Sequence, residues 1–265
     1  MGSKKEVEIP VIDLSKESLK VGTSSWVTTC KNVCHTLEEY GCFVAKLSDD
    51  VLSELHDRKF LGALEELFDF SKEIKAKNTF EKAYFANFKY SAFEALGIEN
   101  AIEPGEVFNF AKLFWPNDND SFRFLKYISE DKDKKLNAFP EHIDLSFSTL
   151  IHEIDVSGLQ IQTKDGEWIG FDVSPSSFIY IAGDALQVWS NNRIKPGFHR
   201  VIVGENNVVR YFLTFHTFIK GNITVRKEFV DEQHPLRYKP MDHLQYVQSQ
   251  LGHNTKIFVK RYSYY

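Results

Sequence analysis

Residues 140–161 read PEHIDLSFSTLIHEIDVSGLQI, and how this stretch folds decides the class of the protein. Its apolar and β-branched residues predict a strand, yet His142 and Asp144 stand near its head. Residues two apart on a strand share a face, so this spacing sets an imidazole beside a carboxylate where a core hydrophobe is expected. Downstream the same texture repeats. GLQIQT (158–163), EWIGFD (167–172), SFIYIAG (177–183), LQVWS (186–190), HRVIVG (199–204) and VVRYFLTFHTF (208–218) all read as short strands. Upstream, VFNFAKLFW (107–115) and FRFLKYI (122–128) read the same way. Lys164-Asp165-Gly166 and Asn206-Asn207 supply hairpin signals between strands, the second joining the strands that hold His199 and Arg210.

Many short strands at regular spacing predict a jelly roll, mainly β with flanking α. EIPVIDLS and CFVAKL add two strands ahead of it. One flanking helix runs from a cap at Ser24 or Ser25 to Tyr40 and stops at Gly41. A second covers residues 50 to about 76, with Leu52, Leu55, Phe60, Leu61, Leu64, Leu67 and Phe68 at helical spacing. PMDHLQYVQSQLG predicts a C-terminal helix. No repeat or linker divides the chain. It reads as a single domain over 1–265, with an N-terminal flank (1–100), a jelly-roll core (105–220) and a C-terminal helix and tail (221–265).

Bulk composition narrows the partners. The chain has 265 residues, 43% hydrophobic and 14% aromatic, enough for one large core. Thirty-two basic and 37 acidic side chains give a net charge of -5, which argues against nucleic acid or an anionic membrane as partner. A small molecule fits better, and the Phe-rich stretch FEKAYFANFKYSAFEALG suggests an apolar, ring-containing one. Cys30, Cys34 and Cys42 lack a second metal-ligating pair and read as buried free thiols, which suits a reducing compartment. No apolar leader opens the sequence and no run of eighteen apolar residues spans a membrane, so a cytoplasmic protein is expected.

A His-x-Asp pair is a weak signal alone, because a buried histidine bonded to a neighbouring carboxylate looks the same. His199, opening HRVIVG, changes its meaning. Two histidines and one carboxylate on converging strands can hold one face of an octahedral iron, leaving positions for a chelating 2-oxo acid and dioxygen. The far carboxylate of such an acid needs a partner. Arg210 offers a planar guanidinium that can grip it through two parallel hydrogen bonds. With no acidic neighbour in its own strand, Arg210 is expected either to meet a ligand or to face solvent.

These residues, with LEEYGCF, ALEELFD, LFWP, KDGEWI, GDALQVWSNNRIK and the Arg of RY, resemble the plant iron(II)- and 2-oxoglutarate-dependent dioxygenases. The branch resembled is the one active in glucosinolate side-chain chemistry. The resemblance implies a double-stranded β-helix, with His142, Asp144 and His199 as Fe(II) ligands and Arg210 as the anchor of 2-oxoglutarate. Tyr127 matches a tyrosine that hydrogen-bonds the oxo acid in relatives.

Three departures from that pattern have consequences. Only NDNDS separates Trp115-Pro116 from Phe122, where relatives carry a long helical segment; the apolar face so uncovered suggests a homodimer. The family's Arg-x-Ser is Arg210-Tyr211-Phe212 here. Losing the serine hydroxyl costs on the order of 1.5–3 kcal/mol of co-substrate binding, so Phe212 either impairs 2-oxoglutarate use or only repacks the core. Counting by two from Arg210 puts Phe212, Thr214 and His216 on one inward face. His216 is then placed to act as an acid, a base or an orienting group, or else to bond a backbone carbonyl. The resulting expectation is an oxidoreductase that hydroxylates, desaturates or dealkylates a small plant metabolite. The alternatives are a descendant that lost 2-oxoglutarate use and performs a non-oxidative cyclisation, isomerisation or condensation, and a non-catalytic binding protein.

Overall fold

The computed structural model describes residues 8–15, 19–49, 58–78, 93–115, 125–127, 136–154, 156–171, 176–203 and 210–250. Strands are β1 (Val11–Asp13), β2 (Cys42–Lys46), β3 (Phe93–Glu94), β4 (Leu125–Tyr127), β5 (Leu136–His142), β6 (Ser148–Glu153), β7 (Leu159–Gln162), β8 (Trp168–Gly170), β9 (Ser177–Ala182), β10 (His199–Val203), β11 (Arg210–Thr217), β12 (Asn222–Ile223) and β13 (Met241–Asp242). Helices are α1 (Ser24–Tyr40), α2 (Arg58–Asp69), α3 (Lys72–Lys75), α4 (Pro104–Phe114), α5 (Asp184–Trp189) and α6 (His243–Gln250).

The larger sheet runs β1-β2-β9-β6-β11-β4-β3 and the smaller β5-β10-β7-β8, while β12 pairs with β13. All pairings are antiparallel except β1 with β2. The core forms where inward residues of both sheets meet. Ile151, Ile179, Ile181 and Phe212 come from the larger sheet, and Leu159, Ile161 and Val201 from the smaller. The alternate residues of β11, Tyr211 and Leu213, face outward and are buried by Leu64, Leu67 and Phe68 of α2 and Phe110 and Phe114 of α4. This is the jelly roll with flanking helices that the strand spacing predicts.

α1 is capped one residue earlier than expected. The Thr23 side chain accepts from the Trp26 N–H at 3.2 Å, and Gly41 closes the helix in the left-handed region at φ 69°. A side chain at Gly41 would be strained by that φ, and its Cβ would lie 2.6 Å from the Lys195 carbonyl oxygen. The 50–76 helix is observed as α2 and α3, broken where the Ser71 hydroxyl accepts from the Ile74 N–H at 3.4 Å; 50–57 lie outside the described residues. The Lys164-Asp165-Gly166 hairpin joins β7 and β8 as expected, with Gly166 at φ 85°.

Several expectations are corrected. VFNFAKLFW is not a strand but most of α4: Val107, Phe110, Ala111 and Phe114 are buried at helical spacing, and Pro104 sits at the first helical position, where its missing N–H is harmless. LQVWS belongs to α5, a helix of only six residues with Ala185, Leu186 and Val188 buried, too short to show a helical period. Residues 140–161 are not one strand either. β5 ends at His142, a bend covers 145–147, and β6 and β7 follow. Of FRFLKYI, only Leu125–Tyr127 lies within the described residues, as strand.

The strands holding His199 and Arg210 do not form a hairpin. β10 pairs with β5 and β7, β11 with β4 and β6, because the chain passes from the smaller sheet to the larger between them. Asn206-Asn207 lies outside the described residues. The cysteines are free, yet Cys42 alone is buried; Cys30 is half-buried and Cys34 exposed, because α1 turns that face outward. Among the described residues no helix is long and apolar enough to cross a membrane.

Candidate active site

The β5–β10 pairing builds the site. His199 lies directly opposite His142 in that ladder, so the last residue of one strand and the first of the other present imidazoles at the same end of the smaller sheet. Their rings sit 4.1 Å apart. Asp144 follows two residues after β5 closes and is placed by the 145–147 bend rather than by the strand face, which corrects the period-two reading of its position. One ligand atom from each of His142, Asp144 and His199 lies within 4.8 Å of the other two, so the three could hold a metal ion. His142 Nε2 is 3.4 Å and His199 Nε2 3.8 Å from Asp144 Oδ1.

Backbone carbonyls fix both imidazoles. His142 Nδ1–H donates to the Pro140 oxygen and His199 Nδ1–H to the Gly197 oxygen, each at 2.9 Å. In both rings the proton is therefore held on Nδ1 and the Nε2 lone pair faces the centre, as a metal ligand requires. Burial, and then the neighbouring His142, pushes His199 down to about 4, so its ring is neutral near pH 7. Burial alone would raise the Asp144 carboxyl, but His199, followed by His142 and His216, outweighs it and holds Asp144 well below the usual carboxylate range. Two imidazoles with Nε2 turned to the centre and one carboxylate suit Fe(II), and the residues fit that ion.

Sequence reasoning missed the residues that hold Asp144 in place. The Thr149 hydroxyl donates to Asp144 Oδ2 at 2.6 Å. With that proton committed, Thr149 Oγ1 accepts from His216 Nδ1–H and from the Ser146 hydroxyl, each at 3.0 Å. His216 does share the inward face with Phe212, but its Nδ1 meets a hydroxyl rather than a backbone carbonyl. Burial pushes its imidazole pKa down. Behind the bend, the His243 Nε2–H donates to the Leu145 carbonyl oxygen at 2.8 Å, and the Asp184 N–H donates to the Asp144 backbone carbonyl oxygen at 3.0 Å. His152, farther along β6, bonds the Ser177 carbonyl oxygen at 2.8 Å and is structural.

Arg210 opens β11 opposite Tyr127 in β4, so the register brings the two positions together; the Tyr127 side chain lies outside the described residues. The expectation that Arg210 lacks an acidic partner, and would face solvent unless it met a ligand, is corrected. It is buried, and its Nη2 donates to Glu153 Oε1 of the neighbouring strand β6. Searching its own strand for an acidic partner could not find a residue that lies across the ladder. Arg210 Nε also donates to the Val156 oxygen at 2.9 Å, and the Phe212 ring centre stands 5.1 Å from the guanidinium carbon. A guanidinium is chemically suited to the far carboxylate of an oxo acid, and this one already holds the carboxylate of Glu153.

Residues 119–218, which span the whole triad and Arg210, match the 2OG-Fe(II) oxygenase superfamily. The chain is 28% identical to the "Probable 2-oxoglutarate-dependent dioxygenase AOP1" of Arabidopsis thaliana over 299 residues, covering 92% of this chain and 98% of that protein. It is 24% identical to the 2-oxoglutarate-dependent dioxygenase AOP3 of the same plant over 376 residues, covering 89% and 91%. Both alignments are longer than this 265-residue chain, so the relatives carry residues with no counterpart here. Among solved structures, the rice dioxygenase for auxin oxidation superposes with a TM-score of 0.71 at 20% identity, covering 97% of this chain and 100% of its own. The fold is thus the double-stranded β-helix of these oxygenases.

Proposed function

We propose that this chain, whose residues 119–218 belong to the 2OG-Fe(II) oxygenase superfamily, is an Fe(II)- and 2-oxoglutarate-dependent oxidoreductase acting on a small plant specialised metabolite. Hydroxylation, desaturation and dealkylation are the reactions within its reach. The observation that carries this reading is the converging triad, with both Nδ1 protons held by backbone carbonyls. The plant dioxygenase relatives support it, and nothing in them favours the non-oxidative alternative.

In this reading His142, Asp144 and His199 hold the iron, and Arg210 with Tyr127 holds the oxo acid. Iron and oxo acid together supply the oxidising equivalent from dioxygen when bound. The protein's own part is positioning. Thr149 fixes the free oxygen of the Asp144 carboxylate, leaving Oδ1 turned toward the two imidazoles. His216 acts through Thr149 as a positioning group rather than as an acid or base. Phe212 lays its ring beside the Arg210 guanidinium.

Anaerobic Fe(II)-loaded protein titrated with 2-oxoglutarate is expected to develop the visible charge-transfer band of a chelated oxo acid. Tightly bound iron with no band at any concentration would sink the reading. A homodimer belongs to the same proposal. The helices that bury Tyr211 and Leu213 leave Phe215 of the same strand face 40% exposed, and α4 exposes Phe108 at 43%. Sedimentation is expected to give twice the 30.7 kDa chain mass; a single-chain mass at micromolar concentration rejects the dimer.

A further inference from the structure

The ion pair between Arg210 and Glu153 is the least expected feature of the interior. Their side chains are 1% and 2% exposed. Glu153 closes β6 directly opposite Phe212, which puts it diagonal to Arg210 on the inward face of the ladder. Its Oε1 receives the Arg210 Nη2 and also the Leu159 N–H at 3.1 Å. Its Oε2 is buried and has no hydrogen-bond partner among the described residues. On the far side Gly158 closes the space: a Cβ there would lie 3.1 Å from the guanidinium carbon and from Nε. A buried ion pair is a poor stabilising device, since apolar residues of similar volume serve as well or better, and an unbonded carboxylate oxygen makes it poorer still. Its presence at the co-substrate's anchor points to a role in binding.

We infer that Glu153 is a specificity-determining residue that occupies the carboxylate site of Arg210 from within the protein. This rests on the oxo-acid reading above. One guanidinium edge grips one carboxylate. The far carboxylate of 2-oxoglutarate must therefore displace Glu153 or share Arg210 with it, and two carboxylates at one site repel each other. A monocarboxylic 2-oxo acid with an apolar tail brings no second anion, and its tail meets the Phe212 ring. Glu153 thus weakens the hold on 2-oxoglutarate and narrows its advantage over monocarboxylic 2-oxo acids.

The test compares 2-oxoglutarate with 2-oxovalerate, which ends in a methyl group where 2-oxoglutarate carries its far carboxylate. Both are titrated anaerobically into Fe(II)-loaded wild type and Glu153→Gln, with the charge-transfer band as the readout. Glutamine keeps the volume of Glu153 and its acceptor for the Leu159 N–H but removes the charge. The wild type is expected to prefer 2-oxoglutarate by less than about tenfold, and Glu153→Gln to bind 2-oxoglutarate at least about tenfold tighter, with 2-oxovalerate unchanged. An unchanged 2-oxoglutarate affinity in the variant overturns the inference while leaving the oxo-acid reading intact. So does a wild-type preference on the order of a hundredfold, which needs no variant and decides the matter even if Glu153→Gln does not fold. If neither acid produces a band in either protein although iron binds, the oxo-acid reading itself has failed and the role of Glu153 falls with it.

Discussion

Replacing His142, Asp144 or His199 by alanine is expected to abolish tight Fe(II) binding, and oxygenase activity with it, while leaving the fold in place. Each change removes one of the three side chains that would hold the ion, and two imidazoles or one imidazole and a carboxylate no longer define an octahedral face. The loss in affinity should be on the order of a thousandfold or more, well beyond the roughly 10–100-fold typical of residues that only orient a ligand. The fold should survive because the ligands stand at the margin of the core. His142 ends β5, His199 begins β10, and neither belongs to the apolar cluster between the sheets. Thr149→Val provides the graded comparison. It keeps the volume of Thr149 but removes the hydroxyl that binds Asp144 Oδ2, so its Fe(II) affinity should fall by about 10–100-fold. Anaerobic metal titration on all four variants, with circular dichroism as the check on folding, measures both. An alanine variant of the triad that retained wild-type iron affinity would remove the site from consideration.

The triad was legible in the sequence because its chemistry is local to a few residues: a His-x-Asp, and a second histidine opening another strand. The architecture was legible from the strand texture for a similar reason. What resisted was non-local. β10 and β11 look like a hairpin along the chain, and only the pairing of each with a distant strand shows that they lie in different sheets. α4 was hidden because Phe108 and Leu113 stand on its exposed face and interrupt the polar stripe, and α5 because six residues are too few to show a period. Glu153 did leave a signal. Counting by two from Thr149 through Ile151 reaches it on the inward face, and a carboxylate in that register requires a buried cation. That cation sits diagonally across the ladder on the neighbouring strand, so no search within one strand could find it. Thr149 and His243 left less to read, since a threonine in a strand and a histidine opening a helix are ordinary until the 145–147 bend brings Asp144 and Leu145 against them.

That bend links the stability of the fold to the metal site, and Gly183 shows how closely. Gly183 precedes α5 at an ordinary φ of -89°, so any side chain could adopt its backbone conformation. The obstacle is space. An added Cβ would lie 1.9 Å from the Ser146 carbonyl oxygen and 2.7 Å from the Ser146 carbonyl carbon, both rigid backbone. The Gly183 N–H donates to the Phe147 oxygen at 3.1 Å, and the next residue, Asp184, donates its N–H to the Asp144 oxygen. Gly183→Ala therefore has to push the bend away from α5 and cannot do so without dragging on Asp144. We expect a loss of about 3 kcal/mol or more, at the upper end for a forced overpacking, and a fall in Tm of roughly 2–4 °C for each kcal/mol. Fe(II) affinity should drop in the same variant, although Gly183 provides no metal ligand. Gly62→Ala is the control: nothing lies within 4 Å of its added Cβ in the exposed middle of α2, so it should stabilise by about 0.5–1 kcal/mol and leave iron binding unchanged. A Gly183→Ala protein with wild-type Tm would show that the bend can yield freely. One that lost stability but kept full iron affinity would show that Asp144 is held by Thr149 alone, without the backbone behind it.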